Sequence, residues 1–148
     1  MMAFEWVPGL DVRGLELPRR QTAGSAGYDL RAQASVDIEP GQVALVPTGL
    51  RIQLDPGYFL GIFSRSSLSV KRHLALANGV GVVDADYYAN ADNGGHILVP
   101  LWNFGTSSQE IGKGERIAQG IVLAATWLSS DEPHSQERRG GFGSTGRG

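Results

Sequence analysis

The densest group of chemically capable side chains runs from Asn78 to Tyr88, NGVGVVDADYY. Val80, Val82 and Val83 read as a strand, with Asp84 and Asp86 at its end. A carboxylate held there suits a general base or a metal ligand, although the same letters also make an Asp-rich turn. Tyr87 and Tyr88 fit either a stacking platform or the core. A second group, Ser64-Arg65-Ser66-Ser67, ends an apolar run and opens a segment of helical character. Hydroxyls and an arginine at a helix N-terminus suit an anion, and plain capping by Ser66 or Ser67 beside a solvated Arg65 fits equally. A third, GGFGSTG, places Gly141, Gly143 and Gly146 in G-x-G-x-x-G spacing. The dinucleotide fingerprint needs a strand before it and a helix after it, and neither reads here. What survives is a Gly-rich segment whose N–H groups, Ser144 and Thr145 can wrap phosphate oxygens, with Arg138, Arg139 and Arg147 supplying positive charge. No G-x-x-x-x-G-K-[ST] occurs, which excludes a P-loop.

Composition narrows the chemistry further. The 148 residues contain no cysteine, so thiolate zinc sites, iron–sulfur clusters, disulfide scaffolds and cysteine nucleophiles are excluded. A formal net charge of -2 argues against a general nucleic-acid binder but leaves room for one small anion in a local basic pocket. His73, His96 and His134 show no metal-ligand spacing and read as surface or loop residues. Trp6, Trp102 and Trp127 read as core. No apolar run approaches the roughly 18–20 residues of a membrane span, and MMAFEWVPGL has no secretory pattern. The expectation is a cytoplasmic protein.

These side chains need a scaffold, and glycine and proline describe it. The 21 glycines and 7 prolines are spread along the chain between short apolar runs. Glu39-Pro40-Gly41, Pro47-Thr48-Gly49 and Asp55-Pro56-Gly57 punctuate strands around Val43–Val46, Leu50–Leu54 and Tyr58–Phe63. Leu50-Arg51-Ile52-Gln53-Leu54 alternates as a half-buried strand should. Further strands are expected at Val80–Val83, His96–Asn103 and Arg116–Trp127, and one helix over residues 66–77. Eight to ten strands with one helix predict an all-β sandwich or jelly roll. Residues 129–148 hold only Phe142 as a large apolar side chain to bury and are expected to be a mobile tail after a domain at 1–128.

Five motifs stand in order: AGYDL (Ala26 to Leu30), SRSS (Ser64 to Ser67), NGVGVVDADY (Asn78 to Tyr87), GERIAQ (Gly114 to Gln119) and RRGGFGSTG (Arg138 to Gly146). Together they resemble the five motifs of the trimeric dUTPases, over about residues 17–146. The resemblance implies Mg²⁺-assisted hydrolysis of dUTP to dUMP and diphosphate, which limits uracil in DNA and supplies dUMP for dTMP synthesis. It implies a distorted jelly roll (β-clip) with one short helix, assembled as a homotrimer whose three sites each draw on all three chains. It implies no direct nucleic-acid or membrane binding, and leaves any regulatory protein partner unknown.

Residue by residue, the resemblance makes Asp84 the base that positions and deprotonates the attacking water. Asn78, with main-chain groups of the Asn78–Tyr87 hairpin including Val83, would recognise uracil. Tyr87 would pack on the deoxyribose and exclude a 2′-hydroxyl. Arg65, Ser66 and Ser67 would bind phosphate, Gln119 would lie near the α-phosphate, and Asp29 would hold metal-bound water. Arg116 would pair with an acidic partner. In the tail, Phe142 would cover uracil, Gly143, Ser144 and Thr145 would close on the γ-phosphate, and Arg138 would meet the phosphate chain. Ser64 stands where the family usually has Pro, and Tyr88 where it usually has Arg. The stretch YANADNGGHI after it resembles a variant of some Gram-positive bacteria and their phages. Two other functions are weighed: a dCTP deaminase of the same fold, whose glutamate base is missing from Asn78–Tyr87, and a dUTP-sensing regulatory protein.

Overall fold

The proline–glycine turns cut the first half of the chain as their chemistry demands. Gly41, Gly49 and Gly57 all take positive φ, at 78°, 74° and 91°. The computed structural model describes residues 1–134; Arg138, Phe142, Gly143, Ser144 and Thr145 lie outside the described residues. The strands are β1 (Ala3–Trp6), β2 (Tyr28–Arg31), β3 (Val36–Ile38), β4 (Val43–Pro47), β5 (Leu50–Gln53) and β6 (Tyr58–Phe63). Helix α1 (Ser66–Arg72) follows, then β7 (Leu74–Leu76) and β8 (Gly81–Asp84), a 3₁₀ turn at Ala85–Tyr87, β9 (Leu98–Asn103), β10 (Gln109–Ile111) and β11 (Arg116–Ala124).

The strands form sheets ordered β1-β5, β10-β3, β2-β11-β6-β8 and β4-β9-β7, all antiparallel in their pairings. They enclose one apolar cluster that includes Leu30, Ile38, Val46, Leu60, Leu74, Val99, Leu101, Ile111 and Ile117. This is a distorted jelly roll, as the turn spacing predicts.

Three expectations change. The helix ends at Arg72, five residues early, because His73 adopts the left-handed conformation (φ 54°) and donates its N–H to the Leu68 carbonyl. Leu74–Leu76 then pairs with β9 as a strand. The N-cap is Arg65 in extended conformation with no side-chain capping bond, so Ser66 and Ser67 are first-turn residues rather than caps. The Asn78–Tyr87 segment is not a hairpin: β7 joins β9 and β8 joins β6, so the turn at 77–80 is a corner between two sheets.

The four-stranded sheet positions the chemistry. Leu30, Leu60, Ile62 and Val83 point into the core. The register sets Asp29 opposite Gln119, Gln119 opposite Phe63, and Phe59 opposite Asp84. Alternation along β6 therefore places Asp29, Gln119, Phe63, Phe59 and Asp84 on the other, outer face.

Candidate active site

One end of that outer face is built around Asp29. Its Oδ1 accepts a 2.7 Å bond from Arg65, and its Oδ2 accepts one from Gln21 at 3.3 Å. Arg116 lies 3.6 Å from the same Oδ2. The pair is mostly covered, with 20 % of the Arg65 side chain and 18 % of Asp29 exposed. Arg65 spends one of its five N–H donors on Asp29. The N–H groups of Ser66 and Ser67 precede the first intrahelical bond, and both residues are exposed beside Arg65. An arginine fixed by a carboxylate next to two hydroxyls and first-turn N–H groups is suited to phosphate oxygens.

Arg116 reaches this cluster through a bulge. Gln119 pairs with Asp29 and Ala118 with Leu30, but Arg116 rather than Ile117 pairs with Arg31. The extra residue turns Arg116 to the face of Asp29, where regular pairing would point it toward the core. Gln119 donates to the Ser64 carbonyl at 3.2 Å, tying β11 to the segment before α1. It lies across Gly27: a Cβ there would be 3.2 Å from the Gln119 Oε1 and 3.3 Å from the Gly120 carbonyl. The glycine of AGYDL is thus a close-approach residue for the glutamine of GERIAQ.

The other end of the face carries Asp84, half-buried at the end of β8. It borders a groove of about 860 Å³ lined by Tyr58, Phe59, Val82, Asp86, Trp127 and Pro133, among others. Among the described residues β8 is the edge of its sheet. In an antiparallel ladder every second edge residue turns its N–H and C=O outward, which suits recognition of a base edge by main chain. The Val83 side chain is in the core, so only its backbone can take part. Asn78 is exposed on the corner before β8. Tyr87 is 7 % exposed; its hydroxyl donates to the His96 carbonyl and accepts from Asn93, both at 2.8 Å.

The two ends do not meet within one chain. Phe63 and Phe59 are four residues apart on β6, about 13 Å at roughly 3.3 Å per residue. Gln119 is one strand to one side and Asp84 one strand to the other, adding about 10 Å across the sheet. Their backbones are therefore about 16 Å apart.

Several features escape sequence reasoning. Trp127, read as core, is 67 % exposed and lines the Asp84 groove, and Trp102 is also exposed. His96, read as a surface or loop histidine, is half-buried, and its Nε2 accepts the Gly49 N–H at 2.9 Å. Burial lowers its pKa. Gln21 carries no motif signal, and the Arg116 bulge has none. Among the described residues no three His, Asp or Glu side chains converge on a metal, and no helix is long and apolar enough to cross a membrane.

A carboxylate beside an edge strand, with an arginine and hydroxyls on the same sheet face, is the equipment of a nucleotide phosphohydrolase. The dUTPase family model matches residues 13–146. The chain is 43% identical over 144 residues to the deoxyuridine 5'-triphosphate nucleotidohydrolase of Lactococcus lactis subsp. lactis, covering 97% of this chain and 96% of that one. The crystal structure of dUTPase from Streptococcus mutans superimposes with a TM-score of 0.83 at 38% identity, covering 86% of this chain and 99% of that one. A dUTPase from phage phi11 of S. aureus, whose structure describes coordination of a structural Mg(II) ion, shares the fold with a TM-score of 0.72 at 18% identity, covering 92% and 98%. The chain belongs to the dUTPase family.

Proposed function

We propose that this dUTPase cleaves dUTP to dUMP and diphosphate at sites built between the subunits of a homotrimer, working in the cytoplasm. The observation that carries the proposal is the separation of about 16 Å between Asp84 and Gln119 on one sheet face. A base acting through one water and a side chain bonded to the same phosphate must lie within about 9 Å of each other, three hydrogen-bond lengths. The Gln119 side chain is bonded to the Ser64 carbonyl, beyond Phe63 and away from Asp84, so it does not narrow that gap; this supports a site in which Asp84 of one chain works with Arg65, Ser66, Ser67 and Gln119 of another.

In this reading Asp84 orients a water toward the α-phosphorus and takes its proton. Arg65, with the Ser66 and Ser67 hydroxyls and first-turn N–H groups, holds phosphate oxygens, and Gln119 steadies the α-phosphate. Mg²⁺ bound to the phosphate oxygens would make the phosphorus more electrophilic. The residues present fit such an ion: a single carboxylate, Asp29, is braced by Arg65, Gln21 and Arg116. That set suits an ion which keeps its waters and takes phosphate oxygens, rather than a protein cage.

The outward groups of β8, with Asn78, read uracil, so that cytosine would leave buried partners mispaired. Tyr87 packs on the deoxyribose. The tail motif of residues 129–148 closes over bound nucleotide, with Phe142 on the base, Arg138 on the phosphate chain and Gly143, Ser144 and Thr145 on the γ-phosphate. The product dUMP feeds dTMP synthesis, and removal of dUTP keeps uracil out of DNA.

The test is diphosphate release from dUTP, dCTP, dTTP and UTP with Mg²⁺, with ammonia measured in parallel. Diphosphate from dUTP alone is expected. Ammonia from dCTP would instead make the chain a deaminase, and nucleotide binding without turnover would make it a sensor.

A further inference from the structure

The stretch Tyr88–Ile97 takes no direct part in the hydrolysis proposed above. It is a closed turn built on two asparagines. The Asn90 Oδ1 accepts the N–H groups of Asp92 (3.0 Å) and Asn93 (3.1 Å). Its Nδ2 donates to the Tyr87 carbonyl (2.8 Å) and the Asn93 Oδ1 (2.9 Å). The Asn93 Oδ1 also accepts the Gly95 N–H at 3.1 Å, which leaves its Nδ2 aimed at the Tyr87 hydroxyl at 2.8 Å. That hydroxyl in turn donates to the His96 carbonyl at 2.8 Å.

The frame around the turn is anchored on two sides. The His96 Nε2 accepts the Gly49 N–H, the Leu50 carbonyl accepts the Ile97 N–H, and the Thr48 hydroxyl donates to the Ile97 carbonyl at 2.6 Å. On the other side Tyr88 donates to Glu5 at 2.7 Å, Glu5 accepts from Arg51 at 3.0 Å, and the Arg51 guanidinium lies 4.7 Å from the Tyr88 ring centre. The turn is tight enough to demand glycine at position 95, where φ is +88° and a Cβ would be 2.8 Å from the Ala89 nitrogen.

We propose that Asn93 is a positioning residue for sugar selection, holding the Tyr87 ring rigid from its hydroxyl end. The inference rests on the assignment of Tyr87 to the deoxyribose. A ring excludes an extra hydroxyl only as strongly as it resists displacement. The 3₁₀ turn fixes the backbone of Tyr87, but the far end of the ring is held by two hydrogen bonds, one accepted from Asn93 and one donated to His96. Losing either frees the ring to yield to a ribonucleotide without removing any contact to dUTP.

The experiment compares kcat/KM for dUTP with that for UTP in the intact protein with Mg²⁺. Asn93→Ala removes the donor to Tyr87 together with the acceptor of the Asn90 and Gly95 bonds, Tyr87→Phe removes the hydroxyl and leaves the Asn90–Asn93 bonds untouched, and Tyr87→Ala removes the ring. Asn93→Ala and Tyr87→Phe are each expected to lower the dUTP-to-UTP ratio about ten-fold. The gain should fall on UTP, and Asn93→Ala, which touches no substrate, should change dUTP turnover by less than about three-fold. Their double variant should have a ratio no lower than that of Tyr87→Phe alone, which already removes the hydroxyl that Asn93 bonds.

If Tyr87→Ala lowers the ratio while Asn93→Ala and Tyr87→Phe leave it unchanged, the positioning role is overturned and the sugar assignment stands. If Tyr87→Ala leaves the ratio unchanged, the sugar assignment itself fails. If Asn93→Ala lowers turnover of both substrates equally together with Tm, and Tyr87→Phe has no effect on the ratio, Asn93 serves only the loop and the proposal is overturned.

Discussion

Mixing two inactive variants measures directly whether Asp84 and Arg65 meet across a subunit boundary. Asp84→Asn chains keep an intact phosphate end, and Arg65→Ala chains keep an intact base. Alone, Asp84→Asn should lose about 10²–10⁴-fold in kcat. Arg65→Ala should lose about 30-fold to several thousand-fold, the cost of truncating a charged hydrogen-bonded partner. The Arg65 variant should still assemble, because Asp29 retains Gln21 at 3.3 Å and Arg116 at 3.6 Å.

When the two are unfolded together in equal amounts and reassembled, each site needs an Asp84 from one type and an Arg65 from the other. In a closed ring every mixed trimer carries one such site out of three, and three quarters of trimers are mixed, so about a quarter of wild-type activity should return. At a 1:3 ratio the recovery should be about 19 %, the product of the two fractions. Activity is read as diphosphate release, and native mass spectrometry reports the mixing. Mixed trimers with no recovered activity would mean that each chain completes its own site, and the separation argued from the sheet register would be wrong.

Four further outcomes are expected. Asp84→Asn should bind dUTP nearly as the parent does, by calorimetry, while losing turnover; wild-type kcat would remove Asp84 as the base. Deleting residues 137–148 should leave assembly and Tm nearly unchanged and lower kcat by about 10²-fold or more; an unchanged kcat would end the lid assignment. Stability should fall as pH drops below about 6.5, the ordinary histidine value. Burial holds His96 neutral in the native state, so the unfolded chain binds more protons there, and the loss should level off once pH passes below the lowered native pKa. Denaturant midpoints of wild type and His96→Gln from pH 8 to 5 check this: the variant should lack that part of the slope. Finally, Gly27→Ala should raise KM or lower kcat several-fold, since the new Cβ would press within 3.2 Å of the Gln119 side chain; unaltered kinetics would show that Gln119 need not be held there.

Much of the strand framework is legible because turn chemistry is local. Pro47-Thr48-Gly49 and Asp55-Pro56-Gly57 bracket β5 and open β6, and β6 runs from Tyr58 to Phe63 as expected. Strands β1, β3 and β10 span only three or four residues and form two-stranded sheets with partially covered faces, so their alternation is too brief to stand out. The helix is overextended because the helix-favouring Leu68, Lys71 and Arg72 outweigh Leu74-Ala75-Leu76, whose apolar ends two residues apart fit a strand and not a helix. What stops it is a histidine in a left-handed conformation, a role that glycine usually advertises. Within the site, residue types are readable from short motifs, whereas pairings are not. Asp29 and Arg65 are 36 positions apart, and the bond between them depends on β11 lying between β2 and β6. The Arg116 bulge and the Asn93–Tyr87 bond are likewise products of register and loop closure, which single-residue propensities do not encode.

The place of β11 in its sheet also bears on how the chain comes off the ribosome. Strands β2 and β6 emerge early, yet neither pairs with the other; each waits for a partner that begins at Arg116. Until then one edge of β6 remains unpaired, with Leu60 and Ile62 beside it, an adhesive surface on a nascent chain. Chaperone occupancy should therefore persist until β11 has been translated and then fall sharply. A stop codon within β11 should yield aggregate rather than a shortened enzyme, whereas one placed after Ala124 should leave a folded, inactive protein. On this account folding waits for β11, the last strand among the described residues, because it lies between β2 and β6 in space.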